Sequence, residues 1–152
     1  MHTLYFEDFS VGQKFTTRAG TLSAGDVSDF ALKYDPQPIH VDAHTSEKGM
    51  FGGIIASGLH TFAFSLRLFI DLGLTMKSNI VGPGVDALRW VAPVRPGDTI
   101  QSLVEVESLT PSKSKQDRGT VRLKFTTRNQ NDEIVMTYTS IMILRKRPTD
   151  PA

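Results

Sequence analysis

Apolar positions in the first half of the chain fall at helical intervals, and in the second half at alternating ones. Val27, Phe30, Ala31 and Tyr34 repeat as i, i+3, i+4, i+7. Ser23 precedes them as an N-cap, with Asp26 three residues on in the capping-box position. This helix must end at Asp35, because Pro36 disfavours helical backbone at the residue before it. Residues 43–49 are polar and helix-tolerant, enough for one or two turns. The stretch "SGLHTFAFSLRLFIDLG" carries the strongest helical signal, with Ser57 as N-cap and Gly73 as the stop. Between them Leu59, Phe62, Ala63, Phe64, Leu66, Leu68, Phe69, Ile70 and Leu72 cover most of the circumference. That distribution predicts a helix buried on nearly all sides.

The strands follow a period of two. Residues 13–21 read as one strand and 84–91 alternate partly around Val85, Leu88 and Trp90. "RPGD" at 95–98 has the proline and glycine of a type II turn. Residues 99–109 read as a strand through Ile100, Val104 and Val106. From Thr120 to Thr127 the alternation is clean, with Val121, Leu123, Phe125 and Thr127 on one face. "NQNDE" turns the chain and 134–144 returns as the last strand. Sequential strands joined by turns predict an antiparallel meander. With one buried helix beside it, the expectation is an α+β domain, a sheet curled around a central helix.

Composition narrows the classes. The 152 residues fit a single domain, here expected over 1–147, with 148–152 as a polar tail that frays. There is no cysteine, which excludes disulfides, thiolate metal sites and cysteine nucleophiles. The start "MHTLYFEDFS" has neither a basic opening nor an apolar run, so no signal peptide is read and a cytoplasmic protein is expected. The apolar stretch 59–72 is broken by His60, Thr61, Ser65, Arg67 and Asp71, unlike a membrane span. A net charge of +1 without a basic stripe gives no footprint for nucleic acid.

Candidate chemistry centres on "FALKYDPQPIHVD". Asp35 leaves a helix end, Pro36 and Pro38 each hold φ near about −65°, and His40 follows at a defined separation. A carboxyl and an imidazole so spaced can move protons; a capped turn with a surface histidine fits the same spacing. Gly58 lies in the first turn of the long helix, where its N–H has no intrahelical partner and can face a carbonyl oxygen gaining charge. Gly52, Gly53 and Gly58 also suit a tight turn into a crowded helix. "HVDAH" (His40, Asp42, His44) has the look of a metal-ligand run but lacks a further ligand cluster, and no metal is expected. His60 reads as a hydrogen-bonded core histidine, Ser57 as a cap without nucleophile-elbow context. "PSKSK" is a basic turn able to meet phosphates.

"FALKYDPQPIHVD" followed by "FGGIIASGLHT" resembles the MaoC-like dehydratase family, which includes the (R)-specific enoyl-CoA hydratases. "RWVAPVRPGD" and "PSKSKQDRG" resemble its later segments, so the resemblance spans about residues 5–145. It implies the hot-dog fold, a long helix wrapped by a curved antiparallel sheet, in homodimers or assemblies of dimers. It implies Asp35 and His40 as the catalytic pair, Gly58 N–H on the thioester oxygen, and Ser57 and Gly53 beside the substrate. Lys113 and Lys115 become candidates for the phosphates of an acyl-CoA. Coenzyme A enters as part of the substrate, and no other cofactor is expected. The implied reaction is reversible hydration of a 2-enoyl thioester, with His40 activating water and Asp35 delivering the proton at C2, or the reverse. Two departures stand out: Gln37 where the family motif often has Asn, and Ala63 where some hydratases carry a serine. A hot-dog thioesterase and a non-catalytic acyl-thioester-binding subunit stay open.

Overall fold

The structure, a computed structural model, describes residues 2–149; the last residues of the expected tail, 150–152, lie outside the described residues. A single 3-10 turn (Phe6–Asp8) leads to β1 (Lys14–Thr16) and β2 (Gly20–Thr21). Helices α1 (Ala24–Tyr34), α2 (Pro38–Val41), α3 (Ala43–Glu47) and α4 (Gly58–Ile70) follow. Then come β3 (Asn79–Trp90), β4 (Thr99–Pro111), β5 (Arg118–Arg128) and β6 (Ile134–Arg145). The strands form one antiparallel sheet in the order β1-β4-β5-β6-β3, with β2 also paired to β4. Among the described residues no helix is long and apolar enough to cross a membrane.

Local signals explain most of these elements. Ser23 Oγ accepts from Asp26 N–H and starts α1. Pro36 ends α1, and Pro38 occupies the first turn of α2, where a missing N–H costs nothing. In β5 the side chains of Val121, Leu123, Phe125 and Thr127 are all fully buried. Gly97 takes φ +90° in the turn before β4, as a type II turn requires.

Three expectations are corrected. Residues 13–21 form two short strands, not one, because the pairing with β4 is interrupted between Thr17 and Gly20. The meander holds only for β4-β5-β6: β3 lies beside β6 at the far edge and does not pair with β4. It also starts at Asn79, and its Pro83 is tolerated because an edge strand need not donate on both sides. Finally, α4 is buried on one face only. Leu59 and Ile70 are about half exposed, at 49% and 46%, while Thr61, Ser65, Leu68 and Phe69 face inward.

That inward face is partly polar. Ser65 Oγ lies 3.0 Å from Ser102 Oγ, 3.2 Å from Thr127 Oγ1 and 3.0 Å from Tyr138 OH. Ser102 and Thr127 are themselves 2.8 Å apart. This hydroxyl cluster ties α4 to β4, β5 and β6, and Phe62 and Phe69 pack beside it on Tyr138 and Phe125. Burial raises the Tyr138 hydroxyl pKa, so it stays a neutral donor.

Ser65→Ala is expected to lower the unfolding free energy by about 1–3 kcal/mol, since buried hydroxyls lose their common partner. Adding Tyr138→Phe should cost less than the two single losses summed. Urea denaturation of the four proteins measures the coupling, and strict additivity would contradict a shared network.

Candidate active site

Three helix ends converge on one cavity of ≈ 540 Å³. Asp35 caps the C-terminus of α1, His40 sits in α2, and Gly58 begins α4. Apolar walls come from Ile55, Ala56, Leu59, Val91, Ala92 and Val94, with Asp35, Gln37 and His40 as the polar side. A mostly apolar hollow with a few convergent polar groups is the ordinary form of a small-molecule site.

His40 is buried and its ring is fixed through Nδ1. Nδ1 lies 2.8 Å from the Ile55 carbonyl oxygen. A carbonyl only accepts, so Nδ1 carries the hydrogen and the neutral ring keeps its lone pair at Nε2. Nε2 faces Asp35 Oδ2 at 3.3 Å. Asp35 is held just as firmly: Ser57 Oγ–H donates to Oδ2 at 2.6 Å, and Gln37 Nε2–H donates to Oδ1 at 2.6 Å. The Ser57 bond first, then the Gln37 bond, hold the carboxyl pKa below its ordinary value against the opposing effect of burial, and His40 adds to them when its ring is protonated. The result is an ionised carboxylate beside a basic nitrogen, an arrangement able to take, hold and return one proton.

Gly58 lines the cavity, and among the described residues neither its N–H nor that of Leu59 has a hydrogen-bond partner. Its lack of a side chain has a second cause: Trp90 lies against it. The indole Nε1–H donates to Gly58 O at 2.8 Å, and a Cβ on residue 58 would come within 2.6 Å of Nε1. The first turn of α4 is thus open on its amide side and roofed by an aromatic ring on the other.

The structure sorts the remaining candidates. Ser57 occupies the N-cap position of α4 without a side-chain cap bond and is fully buried behind Asp35, outside the cavity lining. Gly53 lies in the loop before α4, near Arg95 and also outside the lining. Lys113 and Lys115 sit in the β4–β5 turn, at the sheet end where Pro111 pairs with Gly119 and Leu144 with Asn79. The cavity is at the other end, where Trp90 pairs with Met136 and Met136 with Thr127. From Gly119 to Thr127 is roughly 26 Å of strand, so the chain does not bring these lysines to the site. The "HVDAH" side chains part company: Asp42 caps α3 through Thr45, and His44 faces Lys48. His60 is not hydrogen-bonded as expected. Its Nδ1 is buried without a partner, and the ring stacks on Phe30 at 4.7 Å, with burial lowering its pKa. Sequence reasoning missed the Ile55 carbonyl, which has no residue-type signal, and the bonds of Ser57 and Gln37 to Asp35.

The chain is similar to known proteins over most of its length. Residues 8–129 match the sequence model of the family described as MaoC like domain. The chain is 33% identical over 114 residues to the (R)-specific enoyl-CoA hydratase of Rhodospirillum rubrum, covering 72% of this chain and 74% of that protein. The crystal structure of the MaoC-like dehydratase from Rhodospirillum rubrum superposes with a TM-score of 0.88 at 36% identity, covering 96% of this chain and 99% of that one. A Mycobacterium tuberculosis protein described as having a double hotdog fold superposes at TM-score 0.78 and 23% identity, covering 99% of this chain and 47% of that one. The fold is therefore the hot dog.

Gly58→Ala is expected to displace the indole of Trp90, the only tryptophan of the chain. The emission maximum of the folded variant should move to the red as the ring loses its seat. An unchanged spectrum would mean that Trp90 does not rest on Gly58.

Proposed function

The chain belongs to the MaoC-like domain family, and from that premise we propose that it adds water reversibly to 2-enoyl-CoA thioesters, giving (R)-3-hydroxyacyl-CoA. The observation that carries this reading is the His40 Nε2 to Asp35 Oδ2 approach of 3.3 Å on the wall of an apolar cavity. A water in front of the pair meets an acceptor in each group.

In the hydration direction the water oxygen bonds to C3, and its proton goes to His40 Nε2. The C2–C3 π electrons move toward the thioester carbonyl, whose oxygen gains charge beside Gly58 N–H. A preorganised donor in such a place is worth about 10²–10³ in rate. The proton on Nε2 faces Asp35 Oδ2 and passes through it to C2, restoring both groups. A carboxyl with a lowered pKa is a strong acid once protonated, which suits delivery to carbon and makes its protonated form transient. The steps need no metal or redox cofactor. The coenzyme A portion serves as a remote handle that positions the acyl group.

The protein works, in this reading, as a cytoplasmic homodimer. Leu59, Ile70, Val85, Trp90 and Val91 are exposed apolar residues on α4 and around the unpaired edge strand β3. A second copy laid along β3 would cover this edge and close the side of the cavity formed by Leu59, Trp90 and Val91. Sedimentation at micromolar concentration should show a dimer; a monomer with full activity would remove the partner from the site.

With a trans-2-enoyl-CoA, the conjugated-thioester absorbance should fall without release of free thiol. Asp35→Asn and His40→Ala should each cut turnover by about 10²–10⁴ while keeping the circular-dichroism spectrum. Thiol appearing in step with the absorbance loss would make the protein a thioesterase. Binding without turnover would make it a thioester-binding subunit.

A further inference from the structure

Ser57 stands where a helix cap belongs, yet its hydroxyl does not cap. The first turn of α4 receives no side-chain bond from it. The hydroxyl is donated to Asp35 Oδ2 at 2.6 Å, across 22 residues of sequence. A serine selected to start a helix turns its oxygen to the amides of the first turn. A serine selected only to fill space needs no charged partner.

The geometry around Asp35 gives this diversion a purpose. Ser57 holds Oδ2 and Gln37 holds Oδ1. With one donor on each oxygen, the carboxylate cannot rotate about χ2 without breaking a bond. Its Oδ2 therefore stays 3.3 Å from His40 Nε2, whose own ring is fixed from behind by the Ile55 carbonyl. Gln37 is exposed, whereas Ser57 is fully buried and shielded from competing water. The buried bond is the stronger restraint. Ser57 does not line the cavity, so whatever it does to a substrate it does through Asp35.

We propose that Ser57 is a positioning residue of the active site: a helix-cap serine whose hydroxyl is diverted to fix the orientation and the ionised state of the Asp35 carboxylate opposite His40. Its kinetic consequence rests on the hydration reading; its effect on Asp35 does not. The lowered pKa of Asp35, for which the Ser57 bond is the foremost cause, agrees with the assignment. Removing the hydroxyl leaves the carboxylate with one donor fewer. It then binds a proton more readily and turns more freely, while the cavity walls are unchanged.

The test is a carbon-13 NMR titration of the Asp35 carboxyl in the full chain and in Ser57→Ala, with the resonance assigned by its loss in Asp35→Asn. The Asp35 midpoint should move up in Ser57→Ala, toward the ordinary carboxylate value. With a trans-2-enoyl-CoA, kcat should fall at least about tenfold, as expected for a lost hydrogen bond to a charged group. KM should stay within about twofold, because no cavity contact is removed. A serine that merely packs would change thermal stability and leave the midpoint in place. An unmoved midpoint overturns the assignment, whatever happens to kcat. If Ser57→Ala does not fold, Ser57→Cys keeps a weak donor in similar space; its midpoint should also move up, and an unmoved one overturns the assignment equally. A midpoint that moves in a protein without hydratase activity overturns the hydration reading and leaves the role of Ser57 standing.

Discussion

The seat of α4 on the sheet is the constraint on which the site depends. Apolar side chains alone hold a helix against a sheet with little preference for its position along the axis. Hydroxyls do not, because a buried donor displaced by an ångström loses its acceptor. Ser65 meets Ser102, Thr127 and Tyr138, which come from three adjacent strands. The helix is thereby pinned in translation and in rotation. Ser57 and Gly58 lie two turns upstream on the same rigid rod, so the cluster also determines where a hydroxyl meets Asp35 and where open amides face the cavity.

Around that rod the chain brings together a carboxylate and an imidazole. Asp35 is kept ionised by two donors, and the neutral His40 ring presents its lone pair at Nε2 because a carbonyl claims Nδ1. Neither arrangement is an isolated bond. The donor to Oδ2 comes from α4, the donor to Oδ1 from the start of α2, and the carbonyl from the loop between α3 and α4. Three short pieces of backbone thus cooperate in fixing the two side chains. Trp90 adds the fourth side, reaching from the edge strand β3 to the first turn of α4. Its approach requires glycine at position 58 for steric reasons, and the same absence of a side chain leaves the amide side of that turn open. One residue identity serves both the packing of Trp90 and the openness of that turn toward the cavity.

Much of this was legible in the residues themselves. The two-residue alternation of β5, the start of α1 at Ser23, its end before Pro36 and the turn at Gly97 are local consequences of sterics and hydrogen bonding, and they appear where the spacing puts them. The Asp35–His40 pair was legible for the same reason, since Pro36 and Pro38 restrict the few bonds between them. Where reading failed, a distant partner had decided. The apolar circumference of α4 suggested burial all round, but the described residues leave Leu59 and Ile70 about half exposed. His60 suggested a hydrogen-bonded core residue, but its neighbour is the ring of Phe30.

By itself, then, the sequence determined helix and strand periods, caps, turns and the separation of Asp35 and His40, because each is settled within a few bonds of backbone. The tertiary structure alone decided that β3 would lie beside β6, that Ser57 would turn from its own helix to Asp35, that His40 would present Nε2, and that Trp90 would rest on Gly58. Those outcomes depend on groups 15 to 32 residues apart along the chain and on strand pairings more distant still, and they exist only once the fold has brought those groups together.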